Sequence, residues 1–348
     1  MNEQARLAGR RAALEARARV VRASRAWFEG EGFLEVETPA RVRAPGQEIH
    51  LEAIPSGKGG AGEARWLVTS PEYHMKRLLG AGFERIVQIG KAWRAGEVGP
   101  HHQPEFLIAE WYRAGAPLTA IADDCEALVR VAARAAGVDL VGDPGRVPAP
   151  PGARSGGQSP PPLDLSGPFE RTTVREVLER HAGFALGGRE SAIELAVKAR
   201  AAGVDVSGRT SWDDVFFQVW LDRVEPHLGR GRPAFVFDWP APLGALARRK
   251  IDDPAFVERF ELYANGLELA NAFGELTDAE EQRARFVAES ETRARLGKAV
   301  YELDEDLLAA LPHMASTSGV ALGLDRLVML VLGVTDIRDV VAFADHEV

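Results

Sequence analysis

Residues 319–330 read GVALGLDRLVML. Gly319, Ala321 and Gly323 alternate with Val320 and Leu322. Residues two apart on a strand share a face, so this stretch predicts a strand with one face of small residues and one apolar face. The pattern then changes, and Asp325 and Arg326 precede the apolar run of a helix. Arg326 falls in that helix's first turn, where the macrodipole disfavours a cation. A bound phosphate would supply the compensating charge. Small side chains would let a ligand approach the strand backbone. The stretch therefore predicts a strand-to-helix nucleotide site.

The neighbouring segments supply more strands. RIVQIGKAWR (85–94) and PEFLIAEWYR (104–113) read as two strands joined by a Gly/His/Pro loop. FELYANGLELANAF (260–273) breaks at Asn265–Gly266, a dipeptide that favours a tight hairpin. AFVFDWP, EARWLVTS and FLEVETPA add shorter candidates, the last closed by Pro39. Helices are predicted for the N-terminal Arg/Ala-rich segment, with Val20, Val21, Trp27 and Phe28 turned to a core, and for SPEYHMKRLLGAG with Ser70 as cap. TAIADDCEALVRVAARAAG, TVREVLERH and WDDVFFQVWLDRVEPHLG also read as helices. So does TDAEEQRARFVAES, where Thr277 and Glu280 have capping-box spacing. Hairpin-linked strands with helices between them predict an α+β fold around an antiparallel sheet rather than a βαβ series. Residues 142–168 are Pro/Gly/Ser-rich and predict a flexible insertion within one domain spanning 1–348.

Composition sets limits. The chain has 348 residues, 46% hydrophobic and 27% charged, with a net charge of −9. Such a balance does not favour a nucleic-acid backbone. The single cysteine, Cys125, excludes an intrachain disulfide and a Cys-based zinc cluster, and fits a reducing cytosol. No apolar stretch is long enough to span a membrane. Glu3 and Glu15 interrupt the resemblance of the N-terminus to a transit peptide.

Several glycine and histidine patterns carry no chemistry. GKGGAG (57–62) lacks phosphate-loop spacing, and GAGFER (80–85) simply ends a helix. His50, His74, His101 and His102 match no metal spacing and read as solvated or hydrogen-bonded. Glutamates are more informative. The Asn-Gly turn lets Glu261 and Glu268 sit across a hairpin. Facing carboxylates repel unless a cation lies between them, and Mg²⁺ uses one or two carboxylates plus substrate phosphates. A solvated hairpin face explains the same spacing. Arg94 at a strand end suits phosphate, and Phe106 on the next strand suits a base face.

Together these segments resemble a class II aminoacyl-tRNA synthetase core of the lysine branch. FLEVETPA resembles motif 1, IGKAWRAGEVGPHHQPEFLIAEWY motif 2 and GVALGLDRLVML motif 3. TSPEYHMKRLL and GLELANAFGELTDAEEQ resemble the lysyl enzymes' substrate segments. Only a helix precedes motif 1, leaving no room for the anticodon-binding domain of the tRNA enzymes. The chain is therefore most similar to the truncated lysyl-synthetase paralogues that modify elongation factor P, the (R)-β-lysine ligase family.

That resemblance implies a cytoplasmic homodimer that uses ATP and Mg²⁺, joins lysine or β-lysine to a lysine of elongation factor P, and does not act on tRNA. It implies Arg94 on the α-phosphate, Arg326 on the γ-phosphate, and adenine between Phe106 and Arg326. Glu97, Gln103, Glu268, Leu269 and Gly323 would complete the ATP site, and Glu261 and Glu268 would ligate Mg²⁺. Glu72 would meet the amino group nearer the reacting carboxylate, beside Ser70. Glu110, Tyr112 and Glu275 would read the distal ammonium, and Asn271 the carboxylate. Glu72 completing a capping box with Thr69, Tyr112 packing in its strand, and Asn271 and Glu275 on a hairpin surface are the plain structural alternatives.

The chain also departs from the synthetase pattern. The usual Arg-Asn-Glu turn reads Arg94-Ala95-Gly96 before Glu97, and the usual Asn before Pro-Glu-Phe is Gln103. These changes touch adenine contacts more than phosphate contacts. Ala321 replaces a usual glycine, and its methyl group would disfavour α-lysine relative to β-lysine. Two other readings remain: a free-standing ligase of the asparagine synthetase type, and a non-catalytic regulatory paralogue.

Overall fold

The computed structural model describes residues 3–138 and 163–348. Most of the Pro-rich stretch at 142–168 lies outside the described residues; Leu163 and Leu165, at its end, are buried. The chain opens with α1 (Glu3–Gly30), which turns Val20 and Phe28 into the core. Four short strands follow: β1 (Leu34–Glu35), β2 (Arg41–Val42), β3 (Pro55–Lys58) and β4 (Ala64–Leu67). Next come α2 (Glu72–Gly80), β5 (Arg85–Trp93), β6 (Glu105–Ala114) and α3 (Leu118–Ala136). β7 (Glu170–Thr173), α4 (Val174–Ala182), α5 (Ala192–Ala201), α6 (Trp212–Val219) and β8 (Ala234–Pro240) form the following block. The hairpin β9 (Phe256–Ala264) and β10 (Leu267–Gly274) leads to α7 (Ala279–Arg295) and α8 (Glu305–Ala310). The opening stretch of the sequence analysis forms β11 (Thr317–Gly323) and α9 (Leu324–Leu332).

Eight strands make the main sheet in the order β1-β5-β6-β11-β10-β9-β8-β7, and β2-β4-β3 form a small second sheet. The six central strands are antiparallel, as the hairpin pattern predicts. The two outer pairs, β1–β5 and β7–β8, are parallel. The physical reason is connectivity: each of these pairs is joined by a long crossover, and β7-α4-α5-α6-β8 is a βαβ unit. At the β9–β10 turn, Asn265 and Gly266 both have positive φ, 55° and 76°, the geometry an Asn-Gly hairpin needs.

Alternation gives the sheet two different faces. Ala109, Trp111, Phe260, Ala270, Ala272, Val320 and Leu322 pack into one core with residues of α1, α3 and α9. Directly opposed residues in a ladder share a face. On the other face Gln88, Glu110, Ala321, Asn271 and Glu261 form one row across five strands. Tyr112, Gly319, Phe273 and Arg259 form the next row. The clusters built on α4–α6 and on α2, α7 and α8 include residues of this face and leave polar residues between them.

Three local expectations are corrected. Pro71, not Ser70, is the N-cap of α2, and the Ser70 hydroxyl instead donates to Glu110. Asp278, not Thr277, caps α7, its side chain accepting from the amides of Glu280 and Glu281. Asp278 stands one residue nearer the helix, where one carboxylate oxygen reaches both amides. The segment from Trp212 is α-helical only to Val219 and continues as π and 3₁₀ turns to His227. No helix among the described residues is long and apolar enough to cross a membrane.

Candidate active site

A cavity of about 540 Å³ opens on the polar face of the main sheet. It is lined by Ser70, Glu72, Arg94, Glu97, Gln103, Phe106, Glu268, Leu269, Asn271, Ala321, Gly323 and Arg326. The structure thus brings together residues from four separate parts of the chain. Glu110, Tyr112, Glu261 and Glu275 lie on or beside the same sheet face but not on the cavity wall.

One part of the wall is cationic. Arg94 follows β5, and its Nε donates to the Thr69 carbonyl at 3.4 Å. Its guanidinium lies over Phe106, 5.0 Å from the ring centroid, with Glu97 3.7 Å away. Arg94, rather than Arg326, covers the Phe106 face. Arg326 is the third residue of α9 and folds back over Gly323. Its Nη1 donates to the Glu268 carbonyl at 2.8 Å, and its Nε to the His101 carbonyl at 3.2 Å. Its Nη2 lies 2.6 Å from His102 Nε2. Burial and Arg326 push the His102 imidazole down to about 4, so the neutral ring accepts from the guanidinium. Sequence reasoning takes His102 as solvated or hydrogen-bonded but cannot name Arg326 as its partner, because loop spacing carries no record of a contact 224 residues away. Gln103 also lines the cavity, but its side-chain amide is tied to the His102 carbonyl and to the Asp345 amide. A buried amide must satisfy both ends, which turns Gln103 toward the C-terminal segment.

A second part of the wall is acidic. Lys76, fully buried on α2, is ion-paired to Glu72 at 2.6 Å and to Glu275 at 2.5 Å. Burial opposes its charge, but Glu275 and Glu72 outweigh it and hold the ammonium protonated. Of the three groups expected to read a distal ammonium, Glu275 therefore already holds an internal one, which it shares with Glu72. Glu72 pairs with Lys76 rather than completing a capping box, and Thr69 donates to the Pro45 carbonyl. Glu110 accepts from Ser70 and Tyr112, and burial and then Glu72 push it up to about 8. Burial likewise pushes Glu275 up to about 7, against the pull of Lys76.

The glycines divide. A Cβ on Gly319 would stand 2.2 Å from Tyr112 Cδ1 and 2.9 Å from Glu275 Oε1. Gly319 therefore admits the protein's own tyrosine rather than a ligand. At Gly323 the nearest atoms are the Arg326 stem, at 3.5 Å and beyond. Close approach of a ligand to the backbone is confined to the Ala321–Gly323 end of β11.

Glu261 and Glu268 share the hairpin face, but not as a direct pair: Glu268 opposes Tyr263, Glu261 opposes Asn271, and a bulge lies between. Glu261 is ion-paired to Arg259 and accepts from Tyr263; burial, then Glu268, push it up to about 7. Glu268 faces the cavity, 3.8 Å from Arg326. Among the described residues no group of three His, Cys, Asp or Glu could hold a metal by itself. The donor set fits Mg²⁺ carried on a nucleotide, which Glu268 and Glu261 would hold, though both Glu261 oxygens are also engaged, by Arg259 and Tyr263. Asn271 accepts from Arg259 through Oδ1, which leaves its amide hydrogens for an anionic ligand.

A small-residue strand, an arginine at a helix start, a second arginine beside a phenylalanine and a carboxylate hairpin define a nucleotide-activating class. A family model for class II tRNA synthetases (D, K and N) matches residues 4–347, and the chain belongs to that family. It is 37% identical over 336 residues to the elongation factor P–(R)-beta-lysine ligase of Yersinia enterocolitica, covering 94% of this chain and 93% of that protein. Proteins of the same name from Pectobacterium carotovorum and Enterobacter sp. are 37% and 35% identical over 334 and 336 residues, with the same coverage. Within its class the chain belongs to this elongation factor P–(R)-β-lysine ligase family, and it is an ATP-dependent ligase.

Proposed function

We propose that the protein activates lysine or (R)-β-lysine with ATP and transfers it to a lysine side chain of elongation factor P. The observation that carries this reading is the join, in one cavity, of the Arg94–Arg326 wall to the Ser70–Glu72 wall. The first suits a triphosphate and the second an amino-bearing substrate. The substrate carboxylate attacks the α-phosphorus, pyrophosphate leaves, and an acyl-adenylate forms. No protein nucleophile is needed. Arg94 stabilises charge developing on the α-phosphate and Arg326 holds the γ-phosphate. Mg²⁺, when bound through Glu268 and Glu261, neutralises phosphate charge. Phe106, Leu269 and Gly323 bound the nucleotide, with Glu97 and Gln103 on the adenine side. Asn271 holds the substrate carboxylate; Ser70, Glu72 and Glu110 receive its amino groups, with Tyr112 and Glu275 behind them. We read residues 1–348 as one catalytic domain, active as a cytoplasmic homodimer that does not charge tRNA.

The test is intact-mass analysis of elongation factor P incubated with the protein, ATP and each lysine isomer. A gain of one lysyl unit is expected, and no mass change with either isomer rejects the reading.

Two further results are expected. Ala321 opposes Glu110 on β6 and Asn271 on β10 and lines the cavity, so its methyl group narrows the floor beside the substrate. Ala321→Gly is expected to lower the β/α-lysine preference in pyrophosphate exchange, and an unchanged ratio removes Ala321 from the specificity argument. The second result concerns protons. Glu110 and Glu275 hold protons in the folded protein at pH values where a free carboxyl has lost them. Their contribution to stability is therefore present below about pH 4 and is lost as pH rises through about 7–8. A bound ammonium favours the ionised carboxylates, so lysine binding at pH 7 is expected to release protons. Calorimetry in buffers of different ionisation enthalpy checks this, and proton uptake would contradict it.

A further inference from the structure

The cavity wall continues past Glu72 to three carboxylates that the activation chemistry does not use. Glu48 comes from the loop between β2 and β3, Asp213 from the first turn of α6 and Glu289 from α7, and all three line the cavity. They are consecutive electrostatic neighbours: Glu72 acts on Glu48, and Glu48 and Asp213 both act on Glu289. The basic groups around them are engaged: Arg94, which also acts on Glu48, is held by the Thr69 carbonyl and Glu97. Arg293 donates to the carbonyls of Glu48, Leu51 and Ala299. Arg285 donates to the carbonyls of Ala245 and Ala247 and to Glu281. Lys76 is held by Glu72 and Glu275. His50 acts on Asp213, and its ring packs T-shaped with Phe217, 6.0 Å between centroids.

Glu48 provides the independent observation. Its Oε2 is buried inside the protein and has no hydrogen-bond partner. Its place is built into the backbone: Gly46 has φ +146°, and a Cβ there would stand 2.6 Å from that oxygen. An unpaired buried carboxylate oxygen costs free energy unless a ligand satisfies it. Burial raises Glu48, and burial with Glu48 pushes Glu289 up to about 8, as expected of acidic groups awaiting a cation. Between these carboxylates the wall carries Ile49, Leu51 and Phe217. Apolar walls leading to carboxylates match an alkyl stem ending in an ammonium.

We propose that Glu48, Asp213 and Glu289 receive the lysine ammonium of the acceptor, separately from the groups that bind the amino acid being activated. The inference rests on the protein-lysine transfer proposed above. It follows that acceptor binding and adenylate formation depend on different carboxylates of one cavity.

The test uses the full chain with E48Q and E289Q. Hydroxylamine, a neutral nucleophile, traps the adenylate and reports activation alone. Elongation factor P and Nα-acetyl-lysine N-methylamide report transfer to a cationic amine. Each variant is expected to lower kcat/KM for both lysine acceptors by roughly tenfold or more, chiefly through KM, as expected when one member of a buried charge pair is lost. Hydroxamate formation and the KM for the amino acid should change far less, which also shows that the variants are folded. A parallel rise in the KM for the amino acid would assign these carboxylates to the activated substrate and overturn the inference. Unchanged transfer to both acceptors would also overturn it. If the unaltered protein acylates the small amine but not elongation factor P, the target is wrong while the acceptor site is still decided by the small amine.

Discussion

Arg94→Ala is expected to reduce pyrophosphate exchange by roughly 10²–10³-fold, the cost of removing one preorganised donor from a developing oxyanion. The residue is held from three sides, by the Thr69 carbonyl, the Phe106 ring and Glu97. That fixes the guanidinium before ATP arrives, so little reorganisation accompanies the reaction. Stability should barely change, because the Arg94–Glu97 pair is a quarter exposed on both sides and such pairs contribute about 1 kcal/mol or less. Arg94→Lys should recover only part of the rate, since an ammonium lacks the planar fork. Exchange assays and thermal melts check both halves. Activity of Arg94→Ala within threefold of the unaltered protein would remove Arg94 from the phosphate site.

The largest stability effect is expected at Lys76. Its side chain is fully buried between two carboxylates, one of them equally buried. Lys76→Met removes the cation and leaves Glu72 and Glu275 facing each other. Breaking a buried pair in this way costs about 3–5 kcal/mol. The pH dependence separates this cause from poor packing. The Lys76 ammonium is held protonated above its ordinary range, so its contribution is constant between pH 5 and 8. Without it Glu275 rises further and is protonated at low pH at little cost. The deficit should therefore be smaller at pH 5 than at pH 8. Urea unfolding at the two pH values measures it, and an equal deficit at both would point to packing alone.

Much of this site was legible along the chain. The residue types at Arg94, Phe106, Glu268, Asn271, Ala321, Gly323 and Arg326 sit at strand ends, on one strand face or at a helix start, and each of those places follows from local periodicity. The Asn265–Gly266 turn set the hairpin. What spacing did not show has a common cause. Ser70, Gly319, Gln103 and Glu275 are each engaged by a residue from another element: Glu110, Tyr112, Asp345 and Lys76. Spacing carries no record of such pairings.

The sequence by itself determined the central antiparallel strands, the β9–β10 hairpin, the small face of β11 and the placing of Arg326 at a helix start, because these depend on backbone periods of two and 3.6. Only the tertiary structure decided which glutamates are already neutralised and which still face the cavity. Glu72 and Lys76 stand four apart on one helix, but the charge they share with Glu275 depends on burial against α2 from the end of β10. Burial sets the cost of an unpaired charge. Burial is a property of the packed elements together, so the division between internal ion pair and ligand site could be read only once they were assembled.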